Sequence, residues 1–104
     1  MNKNQNSFRV FVERKLHIKA ADTGAMSEIE VQIGYPQVVD ESGDADCPVA
    51  IIGLFDTLPP IRGIDSLSAV TLAIEFVDRL LVDLEKEGRL YWPDGEKYCS
   101  TSEL

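Results

Sequence analysis

Between Gly63 and Gly88 the apolar residues return every three or four positions, and this repeat constrains the fold more than any other feature of the chain. At about 100° per residue an α-helix would gather them on one side. Leu67, Val70, Ala73, Ile74, Phe76, Val77, Leu80, Leu81 and Leu84 fall on one broad arc, and Ser68, Thr71, Glu75, Asp78, Arg79, Asp83, Glu85 and Lys86 on the other. Leu72 and Val82 break the pattern. Asp65 or Ser66 can accept from an orphan backbone N–H in the first turn, so either serves as N-cap. Gly63 and Pro59-Pro60 prevent an earlier start, and Gly88 followed by Pro93 gives a stop. An apolar arc this wide calls for a sheet as its partner, and the interspersed charges rule out a bilayer span.

The flanking sequence supplies strands. Phe8 to Ala20 alternates, with Phe8, Val10, Val12, Leu16, Ile18 and Ala20 on one face, interrupted by Arg14. The other face is polar, including His17, with Phe11 as its exception. The length predicts a bend or bulge near Arg14. Ala21-Asp22-Thr23-Gly24 is a turn, and Glu28 to Tyr35 is a second alternating strand with Ile29, Val31, Ile33 and Tyr35 inward. Lys15, Lys19 or Arg9 would then sit across from Glu28 or Glu30. Cys47 to Phe55 is almost continuously apolar and reads as a central strand buried on both faces, with Gly53 as a bulge or a close approach to the helix. Asp56 to Arg62 is read as connection. Leu90-Tyr91-Trp92 either forms a short terminal strand or packs over the helix end. The expectation is an α+β fold: a β-β-β-α antiparallel sheet of three to four strands packed on one long amphipathic helix. One domain would span residues 8–95, with 1–7 and 96–104 as flexible tails.

Charge narrows the function classes. Eighteen Asp and Glu against ten Lys and Arg leave a formal charge of −8 over 104 residues. Such a surface repels nucleic acid and anionic lipid and suits a cationic partner. The densest cluster is Asp40, Glu41, Asp44 and Asp46 around Ser42-Gly43. It does not fit an EF-hand calcium loop, whose sixth and twelfth positions, counted from Asp40, fall on Ala45 and Ile51 instead of Gly and Glu. A second group, Asp83, Glu85 and Glu87, sits where the helix dipole is negative and disfavours carboxylates. One His and two Cys, Cys47 and Cys99, make no zinc set, and whether the two thiols bridge stays open. No Gly-rich phosphate loop or nucleophile with an adjacent base is present, and the polar N-terminal residues lack the apolar run of an export signal. The reading is a cytoplasmic, non-enzymatic protein with neither cofactor nor metal.

Several short pieces resemble a family of small bacterial proteins of unknown function. They are the helix start Gly63-Ile64-Asp65-Ser66-Leu67-Ser68-Ala69-Val70 with Leu72-Ala73-Ile74, the strand Phe11-Val12-Glu13-Arg14-Lys15-Leu16, the strand end Ile33-Gly34-Tyr35-Pro36, Cys47-Pro48, and Ile52-Gly53-Leu54. The resemblance runs from Val12 to Leu84 and implies the same element order without an activity. By type, a short acidic chain of this kind also resembles the immunity proteins of toxin–immunity systems, including contact-dependent inhibition. That resemblance implies a tight inhibitor of a basic toxin domain, such as a nuclease domain. The partner-binding residues would be Asp40, Glu41, Asp44, Asp46, Asp83, Glu85 and Glu87, with Tyr91 and Trp92 as an aromatic anchor. The alternative, from a different class, is a self-associating structural or accessory module that forms a homodimer through Leu72 and Val82 or an edge strand.

Overall fold

The computed structural model describes residues 8–55 and 58–99. The elements are β1 (Val10–Lys19), β2 (Met26–Gly34), β3 (Gln37–Val38), β4 (Ala45–Cys47), β5 (Val49–Ile52), β6 (Ile61–Gly63), α1 (Ser66–Lys86) and β7 (Leu90–Tyr91). They build an α+β fold with a four-stranded sheet in the order β5-β2-β1-β7, a three-stranded sheet in the order β3-β4-β6, and one helix of 21 residues. Every strand pairing is antiparallel.

Helix α1 begins and ends where its caps dictate. Asp65 is the N-cap, and its Oδ1 accepts the Ser68 N–H at 2.8 Å. At the other end Gly88 adopts φ +69° and donates to the Glu85 carbonyl, while Arg89 N–H reaches the Leu84 carbonyl. A left-handed glycine satisfying the last carbonyls is the usual way to stop a helix. The buried stripe, Ala69, Ala73, Val77 and Leu81, has a strict spacing of four. It is narrower than the predicted arc: Leu67 is 74 % exposed and Ile74 48 %.

The reason lies in what the helix packs against. At its N-terminal half the floor is the small sheet, and the contact is made by residues with little or no side chain. Ala45 of β4 stands opposite Gly63 of β6, and Ala45, Ala69 and Ala73 are fully buried. A Cβ on Gly63 would collide with the backbone of Ala69 and Ser68. Helix and strand therefore meet backbone to backbone over a narrow line, and three short strands cannot cover the outer part of the arc. Further along, Val77 and Leu81 join Leu16, Ile18, Ile29, Val31, Ile33, Val49 and Ile51 from the large sheet in one core. Burial of side chains of that size contributes about 2 kcal/mol each.

The apolar run 47–55 departs from the expected single central strand. Pro48 divides it: β4 joins the small sheet and β5 forms the edge of the large one. Proline cannot donate to a ladder, so a strand pauses there. Its carbonyl still accepts the Gly34 N–H at 2.8 Å, which hinges the two sheets to one point. Gly53 makes a close approach as expected, but to the Glu28 carbonyl of β2, not to the helix. Its φ of +94° starts the reversal in which Phe55 N–H returns to the Ile51 carbonyl. The end of the segment read as connection, Ile61 and Arg62, belongs to β6.

Strands β1 and β2 form the expected hairpin, with Lys15 opposite Glu30 and His17 opposite Glu28. The irregularity falls between Val10 and Val12 rather than near Arg14. Phe11 is the extra residue there, which explains why it broke the alternation. Tyr35, expected inward, is 42 % exposed, because β2 ends at Gly34 and the ring packs on Phe11 with centroids 5.2 Å apart. At the other end Leu90-Tyr91 forms the terminal strand β7 against His17 and Ile18. Of the segment 96–104 expected as a tail, the described part is tied down. Tyr98 is buried, its N–H donates to the Leu90 carbonyl, and its hydroxyl accepts from Arg14 at 2.7 Å. Residues 1–7 lie outside the described residues, as do 100–104. Among the described residues no helix is long and apolar enough to cross a membrane.

Gly63→Ala should be among the most destabilising single-methyl changes available. Overpacking against a backbone that cannot retreat costs about 1–3 kcal/mol, and Ala has no rotamer with which to escape. Urea denaturation should report that loss, against a much smaller effect for Gly63's exposed neighbour in Ile64→Ala.

Candidate partner-binding surface

The carboxylates singled out in the sequence lie at the two ends of α1. Asp40, Glu41 and Asp44 occupy the turn between β3 and β4. The turn is braced internally: the Asp40 carboxylate accepts from the Ser42 N–H at 2.9 Å and from the Ser42 hydroxyl, and Val39 N–H bonds the Asp44 carbonyl. The two bonds from Ser42 hold the Asp40 pKa below the ordinary carboxylate range. The turn sits beside the start of the helix, since a Cβ on Gly43 would lie 3.9 Å from the Ile64 carbonyl oxygen. Asp83, Glu85 and Glu87 stand at the other end of the same helix. With 21 residues between the caps and a rise of about 1.5 Å per residue, the two groups are roughly 30 Å apart. The fold does not bring them into one cluster.

Nor are the members equivalent. Asp46 lies on β4 instead of the turn, and its carboxylate is bound by Arg62 Nε at 2.6 Å and Nη2 at 3.3 Å. That pairing depresses the Asp46 pKa and raises that of Arg62, helped by the charges of Asp44 and Asp40. Glu87 is paired with Arg89 at 3.2 Å, and Arg89 Nε also donates to the Lys19 carbonyl. Arg89 thereby offsets carboxylates at the negative end of the helix dipole. Among the described residues, Glu41 and Asp83 make no ion pair, and both are exposed. They are the carboxylates most available to an incoming cation.

The aromatic pair also divides. Trp92 packs against the core, its ring 5.1 Å from that of Tyr98, with the Arg14 guanidinium 5.7 Å from the Trp92 centroid. Tyr91 sits half-buried in β7. Trp92 is thus engaged in holding residues 92–98 to the sheet, and Tyr91 presents the freer ring.

Two features were not singled out in the sequence. On the outer face of the large sheet, Glu13 and Glu30 approach closely enough to share a hydrogen bond, which raises the Glu13 pKa. The strand alternation places them on one face, but the diagonal register that joins them appears only in the folded hairpin. The second is a groove between β1 and α1, floored by Val31, Ile33, Val77 and Leu81, with Val12 and Ile74 at its lips. Both thiols are free, Cys47 buried and Cys99 exposed, and burial pushes the Cys47 thiol pKa up. Among the described residues no three His, Cys, Asp or Glu side chains are grouped to hold a metal ion.

The Arg62–Asp46 pair makes a pH prediction. Because the folded Asp46 pKa is depressed, its contribution to stability is present above the unfolded carboxylate pKa and is lost as pH falls through the folded value. In an Arg62→Met variant the Asp46 carboxyl should titrate higher, toward the ordinary range, in a carbon-detected NMR titration. An unmoved Asp46 would mean that the turn, not Arg62, sets its charge.

No curated protein and no solved structure matches this chain. The family model described as a domain of unknown function, DUF6968, matches residues 12–101. That span takes in the hairpin, both sheets, the helix and the return through Tyr98, so the chain belongs to the DUF6968 family, a family of unknown function.

Proposed function

We propose that this chain is a small acidic, non-enzymatic binding protein of the cytoplasm, an immunity-type inhibitor that seats on a basic toxin domain and neutralises it. The observation that supports this reading is the distribution of the charge of −8: carboxylates stand at both ends of α1. Between them the solvent face carries Glu75 and Asp78 beside Arg79. A standard protein interface covers about 800 Å² per partner, a disc roughly 30 Å across. One such footprint reaches from the turn at Asp40 to the helix end at Glu87. Complementary charge over that length would accelerate encounter with a basic domain and disfavour neutral or acidic ones. Glu41 and Asp83 are the leading contacts. Asp40 and Asp44 follow, and Asp46, Glu85, Glu87, Tyr91 and Trp92 complete the surface.

Exposed Leu72, at 41 %, favours a second reading, self-association through the helix. Co-purification with the product of the adjacent upstream gene, in low and in moderate salt, separates the two. A stoichiometric complex with a basic, growth-toxic protein, weakened by salt, supports the inhibitor. A stable dimer that retains no partner overturns it. In such a complex, reversing Glu41, Asp44 and Asp83 to Lys should slow association by tenfold or more and flatten its salt dependence. Unchanged rates would remove the acidic surface from the interface.

A further inference from the structure

Strand β1 is ten residues long, but β7 covers only His17 and Ile18 on its outer side. Among the described residues, no strand pairs with that side between Phe11 and Lys15. The ladder sets which groups are left over. Lys19 N–H donates to the Arg89 carbonyl, so the odd-numbered residues of β1 face β7 and the even-numbered ones face β2. By the same alternation the backbone N–H and C=O of Glu13 and Lys15 point outward along an open edge. Exposed peptide groups in a row are a template for a further strand.

Beside this edge runs the groove between β1 and α1. Its floor is apolar, and both lips are exposed, Val12 at 44 % and Ile74 at 48 %. The charged side chains that α1 brings to it are Glu75 and Asp78, and the guanidinium of Arg14 is turned away to the Tyr98 hydroxyl. The rim is therefore net acidic. A strand lying on the edge would project alternate side chains into the groove and to the opposite face. A second copy of this chain is a poor occupant, because it would bring the same acids against these and a charge of −8 against −8.

We infer that the open edge of β1 and the adjoining groove form a site for an extended segment of a partner protein, added as a strand to the large sheet. Its apolar side chains enter between Val12 and Ile74, and its Lys or Arg residues meet Glu75 and Asp78. Main-chain bonds to Glu13 and Lys15 supply the affinity, and the groove and its acidic rim supply selectivity, as in other cases of strand addition. This surface flanks the middle of α1 rather than its ends, and it does not depend on what the partner does.

The test uses the full chain and two labelled eight-residue peptides, one alternating Lys with Val and one alternating Glu with Val. The Lys–Val peptide should bind at one site per chain by fluorescence polarisation, and the Glu–Val peptide at least tenfold more weakly. Amide exchange at Glu13 and Lys15 should slow by tenfold or more on binding. The exposed double variant Glu75→Lys/Asp78→Lys, checked for folding by circular dichroism, should lose at least tenfold in affinity for the Lys–Val peptide. Absence of binding by that peptide overturns the proposal, as does binding that leaves exchange at Glu13 and Lys15 unchanged. Protection of those amides that grows with protein concentration, without peptide, overturns it in favour of a second copy.

Discussion

The close approach of Gly63 to the first turn of α1 sets the rest of the arrangement. A strand and a helix normally pack with side chains between them. Here Gly63 has no side chain, Ala45 beside it has one carbon, and Ala69 and Ala73 face them from the helix. A Cβ at Gly63 would have to occupy the space of Ala69 backbone atoms. The Asp65 cap, two residues on, then fixes where the first helical hydrogen bonds form. With one end of a rigid helix pinned in position and direction, its far end has little choice. Val77 and Leu81 fall over the large sheet because they continue the line that Ala69 and Ala73 begin.

The same constraint accounts for what is left uncovered. A helix seated on a narrow ridge of small residues buries one row at spacing four, and the flanking rows stay outside. Leu67 and Ile74 lie on one flank and Leu72 and Phe76 on the other, all at least 36 % exposed. A floor of large side chains would have widened the contact and buried them. The groove beside β1 opens on the flank that carries Ile74. Small residues in one place and exposed large ones in another are thus two aspects of one packing solution.

This explains which parts of the fold were legible in the sequence. The helix limits were, because caps act locally: Asp65, Gly63 and Gly88 do their work within a few residues of where they stand. The β1–β2 hairpin was legible from alternation, and the helix-on-sheet class followed. The division of residues 47–55 was not. An apolar run has no period to read, and Pro48 sits near enough to its start to pass for a tolerated edge proline. That it sends the chain from one sheet to another depends on Gly34, fourteen residues earlier, donating its N–H to the Pro48 carbonyl. The strand β6 was hidden for a related reason: Ile61-Arg62-Gly63 has pairing only because β4 is there to receive it. For the candidate surface, the acidic residues were plain in the composition. Their pairing was not, since Arg62 reaches Asp46 across 16 positions and Tyr98 closes on Arg14 across 84.

Salt separates the two surfaces physically. At physiological ionic strength the Debye length is about 8 Å, so exposed charges act mainly on what is already near. The clusters at the helix ends, roughly 30 Å apart by helix rise, lie well beyond that range of one another, so in the proposed reading each would act as a local patch on a basic partner. Their contribution would then belong to encounter and would fade as salt rises. The groove works differently. Its contacts are backbone hydrogen bonds and apolar burial beside β1, which salt screens little, with Glu75 and Asp78 setting preference at the rim. A partner that used both would show fast, salt-sensitive arrival and slower, salt-tolerant release. The two behaviours would trace to different residues of the same helix, those at its ends and those at its middle.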